Sequence, residues 1–115
     1  AAYITQITTA VNGIVYKAEM SCIEAPAGSN TTADIDLVTN STSRAEDTAY
    51  DGAGTDLALI VAGGDYTVGM TQGTGPDDLS NCVDAYLYLA NGSGANSGGT
   101  YTAGKFIIKL WGASF

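Results

Sequence analysis

The chain has no histidine among its 115 residues, and only four cations, Lys17, Arg44, Lys105 and Lys109, against 12 acidic groups. Without histidine there is no Ser-His-Asp or Cys-His catalytic set and no histidine-ligated metal. A formal charge of −8 makes the chain a poor general binder of nucleic-acid backbone, because that grip depends on neutralising phosphates. Charged residues are scarce overall, at 14 %, where roughly a quarter is usual. Long apolar runs are also missing. The longest, Leu57 to Ala62, ends at Gly63-Gly64 and is too short to cross a bilayer. The segment beginning Ala1-Ala2-Tyr3 shows no basic or apolar region of a signal peptide. Two cysteines, Cys22 and Cys82, are too few for a disulfide scaffold. A pair of reduced, buried thiols is preferred to a single bridge.

What is present is apolar residues at 45 % and 15 glycines, so the chain reads as globular rather than disordered. Its length suits one domain over 1–115 with one core. Between Ala45 and Gly104 there is no cation, yet Glu46, Asp47, Asp51, Asp56, Asp65, Asp77, Asp78 and Asp84 all fall there. Such a segment suits a solvated face or docking to a basic partner.

Turn-forming residues separate short apolar runs along the whole chain, the mark of short strands joined by loops. Tyr3 to Val11, then Asn12-Gly13, then Ile14 to Ile23 reads as a hairpin, because both turn residues accept positive φ. In its second arm Ile14, Tyr16, Ala18, Met20 and Cys22 share one face, and Lys17, Glu19 and Ser21 the other. Glu24 to Thr31, with Pro26 and Gly28, reads as a loop. Ala33 to Asn40 reads as a strand with Ile35 and Leu37 inward. Ser41 to Thr55 reads as polar loop, and Leu57 to Ala62 as a short buried extended segment. Asp65 to Met70 reads as a strand and Thr71 to Asp78 as a loop. From Val83 to Ala90, residues Val83, Ala85, Leu87 and Leu89 alternate with Asp84, Tyr86 and Tyr88. Cys82 then falls on the outer face with Asp84, unless it sits in a loop. From Tyr101 to Trp111, Phe106, Ile108 and Leu110 face one way, and Lys105, Ile107, Lys109 and Trp111 the other. Six to eight short strands with almost no helix predict an all-β, single-domain β-sandwich or a jelly-roll-like small barrel of antiparallel strands.

Motifs for chemistry are weak. Asp51-Gly-Ala-Gly-Thr-Asp56 places two carboxylates around glycines, but the ligand spacing of a calcium loop is absent. Solvated loop carboxylates are the preferred reading there and at Asp34/Asp36 and Asp77/Asp78, so no metal site and no cofactor are expected. A carboxylate pair for glycoside hydrolysis needs a sugar cleft, for which a chain this short has little room. No catalytic residue is assigned, and the protein is expected not to be an enzyme. Asn30-Thr-Thr, Asn40-Ser-Thr and Asn91-Gly-Ser are glycosylation sequons, read here as chance matches. Tyr86 and Tyr88 share a face, and tyrosine is a frequent contact residue. Ile107 and Trp111 lie between two of the four cations, which makes that face a candidate patch. The competing reading is a second layer that covers it, with the lysines snorkelling.

The C-terminal third, Asp84-Ala-Tyr-Leu-Tyr-Leu-Ala-Asn-Gly-Ser-Gly followed by Gly99-Thr-Tyr-Thr-Ala-Gly-Lys-Phe-Ile-Ile-Lys-Leu-Trp-Gly112, resembles small head proteins of tailed bacteriophages, including capsid decoration (cement) proteins. The resemblance implies a virion structural protein on the capsid exterior. It would bind the major capsid protein and stabilise contacts between capsomers, as a homo-oligomer with a trimer among the options, without nucleic acid or membrane partners. Chain ends and long loops, here Ala1 to Thr5 as an extended arm, Ser41 to Thr55 and Asn91 to Gly99, would be the grasping elements. Tyr3, Tyr86, Tyr88, Lys105, Ile107, Lys109 and Trp111 are the expected partner contacts. The alternatives are a carbohydrate- or host-surface-binding module of a phage tail or fibre, and a secreted sandwich domain.

Overall fold

The computed structural model describes residues 3–43, 56–61, 65–91 and 100–114. Strands dominate. They are β1 (Thr5–Gln6), β2 (Ile14–Ser29), β3 (Ile35–Asn40), β4 (Asp56–Ile60), β5 (Thr71–Thr74), β6 (Tyr86–Asn91) and β7 (Thr100–Ala113). They form two antiparallel sheets, β1-β6-β3-β4 and β5-β2-β7, so the fold is all-β and sandwich-like.

The core lies between the sheets. Ile7, Ile35, Leu37, Leu59, Ile60 and Leu87 meet Val15, Ala18, Met20 and Cys22, with Tyr66, Leu79 and Cys82 among them. Alternation explains which residues enter it. Leu37 opposes Leu89, and Ile35 opposes Asn91, across β3 and β6. Ala18, Met20 and Cys22 point inward from β2, as their spacing predicts. On β7, Phe106, Ile108 and Leu110 pack against the core while Ile107 stays out.

Several expectations fail, each for a local reason. Asn12-Gly13 is not a hairpin turn. Thr9–Asn12 is a single helical turn, α1, with Thr8 as its N-cap and Gly13 (φ 65°) closing it. The Thr8 hydroxyl accepts from the Val11 N–H, and the Asn12 side chain accepts from the Thr8 N–H. Tolerance of positive φ serves a helix C-cap as well as a hairpin, and here the cap wins. The residues before it pair elsewhere, Thr5 with Leu87 and Gln6 with Tyr86. The expected N-terminal arm is therefore, over 3–5, part of a sheet edge, with Ile4 N–H bonded to the Leu87 carbonyl. Residues 1–2 lie outside the described residues.

β2 runs on through Pro26 and Gly28 to Ser29, where a loop is expected from Glu24 to Thr31. Register shifts at Val15/Lys17, Cys22/Glu24, Glu24/Ala27 and Ala27/Gly28 absorb the irregular residues, as bulges do. The first shift also reverses the phase of the strand. Val15 is buried and Tyr16 is exposed, the opposite of the uniform alternation. Asp65 to Met70 is not a strand but a turn region. Thr71–Thr74 is a strand rather than a loop, held by pairing with Ala18–Ser21 of β2. Cys82 is buried in a 3-10 turn, Ser80–Cys82, which matches the alternative of a placement outside the strand. Both cysteines are free thiols. Of the expected buried extended segment Leu57 to Ala62, residues 57–60 are extended with Leu59 and Ile60 buried, whereas Ala58 and Val61 are exposed and Ala62 lies outside the described residues. The loop grasping elements lie outside the described residues over 44–55 and 92–99.

Candidate contact surface

The seven expected contact residues fall into two groups on different sheets. Tyr3, Tyr86 and Tyr88 cluster on the outer face of the first sheet, with the Tyr3 ring edge-on to Tyr86 at 4.8 Å and to Tyr88 at 6.5 Å. Lys105, Ile107, Lys109 and Trp111 lie on the outer face of β7 in the second sheet. No single patch joins them.

Of the expected contacts, Tyr88 is the one whose side chain is fully buried. Its hydroxyl donates to the Thr42 carbonyl at 2.7 Å, and Val38, its partner on β3, is buried beside it. Asn40 on the same face is buried too. Its amide nitrogen donates to Asp56, and its oxygen accepts from the Thr42 N–H at 2.8 Å. That arrangement also removes Asn40 as a glycan acceptor in the folded protein. Tyr3, at 44 % exposure, is the open member of the cluster, with Tyr86 partly buried.

The second group is more open. Register places Lys17 opposite Trp111, Glu19 opposite Lys109, Ser21 opposite Ile107 and Glu24 opposite Lys105. Among the described residues of β2 and β7, this outer face carries Lys17, Lys105 and Lys109 together with Glu19 and Glu24. Ile107 is 47 % exposed, and Ile23, at the bulge beyond Ser21, is 52 % exposed. The Lys17 ammonium lies 4.6 Å from the Trp111 ring centre, a cation–π contact that leaves the charge available to a partner. Lys105 pairs with Glu24 at 3.5 Å. The Gly104 N–H also donates to Glu24 at 2.8 Å. That hydrogen bond, then the lysine charge, holds the Glu24 carboxyl below its ordinary value. Cross-strand pairing made Lys17 and Glu24 part of this surface. Sequence reading had placed Lys17 on the outward face without joining it to Trp111, because the partner of a strand is not written in its own residues.

The remaining polar features lie inside. Tyr66 is buried against Phe106, ring centres 5.2 Å apart, and among the described residues neither its hydroxyl nor Asp34 Oδ1 has a hydrogen-bond partner. Burial, then the charges of Asp36, Cys22 and Asp34, pushes the Tyr66 phenol up to about 12. Burial likewise raises the Cys82 thiol, whose sulfur donates to the Leu79 carbonyl, so this cysteine is a packed thiol rather than a nucleophile. A mostly apolar cavity of about 180 Å³ opens between the sheets, lined by Pro26, Ile35, Leu89, Tyr101 and Phe106 among others. At its rim the Tyr101 hydroxyl meets the Thr32 carbonyl and the Asn91 amide. A phenol has one proton, so both contacts are satisfied when the hydroxyl donates to the Thr32 carbonyl and Asn91 turns its NH₂ to donate to the phenolic oxygen. Among the described residues no three His, Cys, Asp or Glu side chains converge as metal ligands. Comparisons of the chain with protein-family models, with curated proteins and with solved structures returned no match.

Proposed function

We propose that this protein works by contact rather than by catalysis, as a decoration protein on the outside of a tailed-phage head, where it holds neighbouring capsomers together. The observation that carries this reading is the outer face of β2 and β7. It collects Lys17, Lys105 and Lys109 around Ile23, Ile107 and Trp111 in a chain of charge −8. An exposed apolar pair framed by cations is suited to a protein surface. The acidic remainder favours the outside of a shell over the DNA within it. Several modest contacts engaged together give avidity beyond any one of them. The resemblance of Asp84 to Gly112 to phage head proteins supplies the identity of the partner, the major capsid protein. Carbohydrate binding is the weaker reading, because the one tryptophan already carries Lys17 over its ring.

The test is addition of purified protein to heads that lack it, with bound copies counted after sedimentation. A fixed ratio to capsid subunits is expected, lowered by Trp111→Ala together with Lys109→Glu. Failure to bind, or binding unchanged by that pair of substitutions, overturns the proposal.

A further inference from the structure

The second sheet ends in an unusual edge. β7 has 14 residues and, among the described residues, pairs on one side only, with β2. At about 3.4 Å per residue it extends over roughly 44 Å, close to the 45 Å long axis of the molecule. A row of backbone N–H and C=O groups that long is a template for another strand. None of its residues is buried. Phe106, Ile108 and Leu110, which pack against the core, are only partly buried. β5 touches β4 at the other side of the sandwich, and β7 lines the cavity with β6 and β3. Among the described residues the second sheet therefore has three strands against the four of the first, and the position beside β7 is where a fourth would complete the cover.

We propose that the free edge of β7 is a docking site for an extended segment of another protein, added as a fourth strand, with acidic side chains on its outer face and apolar ones toward the core. Strand addition supplies main-chain hydrogen bonds, and alternate side chains supply selection. Lys105 and Lys109 stand two turns of the pleat apart on the outer face, where cross-strand neighbours of opposite charge are favoured and like charges are disfavoured. The same two lysines oppose a second copy of β7. Centring the antiparallel pair on Ile107 sets Lys105 directly against Lys109 of the other copy. The inner-face partners of the added strand cover Phe106, Ile108 and Leu110. This inference rests on the reading of the protein as a contact protein and specifies the conformation and charge of what it contacts.

The probe is a blocked synthetic nonapeptide of alternating aspartate and valine, with an alternating lysine–valine peptide as its counterpart. Both are titrated into the whole protein with backbone amides followed by NMR and hydrogen exchange. The expected result is saturable shifts and slowed exchange confined to amides of 100–113, with the lysine peptide at least ~3-fold weaker. Lys105→Glu with Lys109→Glu reverses the order of the two peptides. Lys109→Glu alone, which leaves the Glu24 pair intact, narrows the difference. Silence of the β7 amides up to several millimolar peptide overturns the proposal. Equal binding of both peptides, or protection that grows with protein concentration without peptide, overturns it as well. Peptide binding at β7 without attachment to heads defeats the capsid proposal and leaves this one standing. Attachment to heads with β7 amides unchanged does the reverse.

Discussion

The two sheets of this sandwich are built to different standards of closure. In the first, five of the six residues of β3 are buried, including Val38 and Asn40 on the face turned away from the core. In the second, β7 is more than twice as long and buries none of its residues. A strand shielded on both faces and both edges contributes rigidity, and its backbone opens only when the whole domain does. A strand paired on one edge is where a partner finds unused hydrogen bonds. Burial is thus concentrated in β3 and β6, and on the proposed reading recognition falls to β7 and the adjoining face of β2.

The sharpest way to break this contrast is to truncate one side chain from each sheet. Tyr88→Ala removes a buried ring and the hydroxyl bonded to Thr42, and an unfolding titration should show a loss of about 3–5 kcal/mol. Ile107→Ala, on the open face, should stay within about 0.5 kcal/mol. Comparable losses in the two variants would erase the distinction between the sheets.

A next smaller effect is expected where β7 does meet something besides β2. Its end passes so close to α1 that a methyl group on Gly112 would sit 1.6 Å from the Asn12 carbonyl oxygen. Gly112→Ala must shift backbone, and a loss of roughly 1–3 kcal/mol is expected in the same titration. An unchanged midpoint would mean that α1 is not seated on the strand.

Between the sheets, Tyr66 sets a buried hydroxyl that has no hydrogen-bond partner among the described residues. Tyr66→Phe keeps the ring on Phe106 and removes the unsatisfied group, so it should stabilise by about 1 kcal/mol. Its ionisation adds a pH signature. The folded phenol is raised from 10 to about 12, so the unfolded state loses its proton first. Stability is therefore full below pH 10 and falls as pH rises from 10 toward 12. Thermal melts across that window should show the tyrosine protein losing more than the phenylalanine variant. Parallel curves for the two proteins would contradict the assignment.

The smallest effect belongs to the exposed pair on the second sheet. Glu24 is lowered from 4.5, so its contribution is present above pH 4.5 and is lost as pH falls through the folded value. Exchanging Lys105 for methionine should bring the Glu24 titration, followed by NMR, part of the way back toward 4.5. The Gly104 hydrogen bond keeps the remainder. A Glu24 titration indifferent to Lys105 would show that the lysine is free for a partner.

Much of this architecture was readable where strands are uninterrupted. The alternation from Lys105 to Trp111 correctly sorts Phe106, Ile108 and Leu110 from the outward residues, and Ala18, Met20 and Cys22 behave likewise. Bulges defeat the same logic. The shift between Val15 and Lys17 turns Tyr16 outward, and Gly104, at φ 134°, lies where the phase of β7 changes, so that Tyr101 and Ala103 line the cavity. β5 is hidden because Gly73, Gly75 and Pro76 read as loop punctuation, while Thr71–Thr74 is held by pairing with Ala18–Ser21. The burial of Tyr88 is hidden from sequence for a related reason. Alternation assigns a residue to a face, but whether that face is covered depends on distant chain, here Tyr3 and Thr42. The open edge of β7 is a property of topology, and topology follows from pairings that no single segment encodes.

Hydrogen exchange of the free protein at low concentration compares the two sheets directly, amide by amide. The amides of β3 and β6 should exchange only through global unfolding. Along 100–113, amides bonded to β2 should be slow and those pointing to the open edge fast, in alternation. Uniform protection along β7 would mean that its edge is already occupied, and the division between a closed sheet and a receptive one would be wrong.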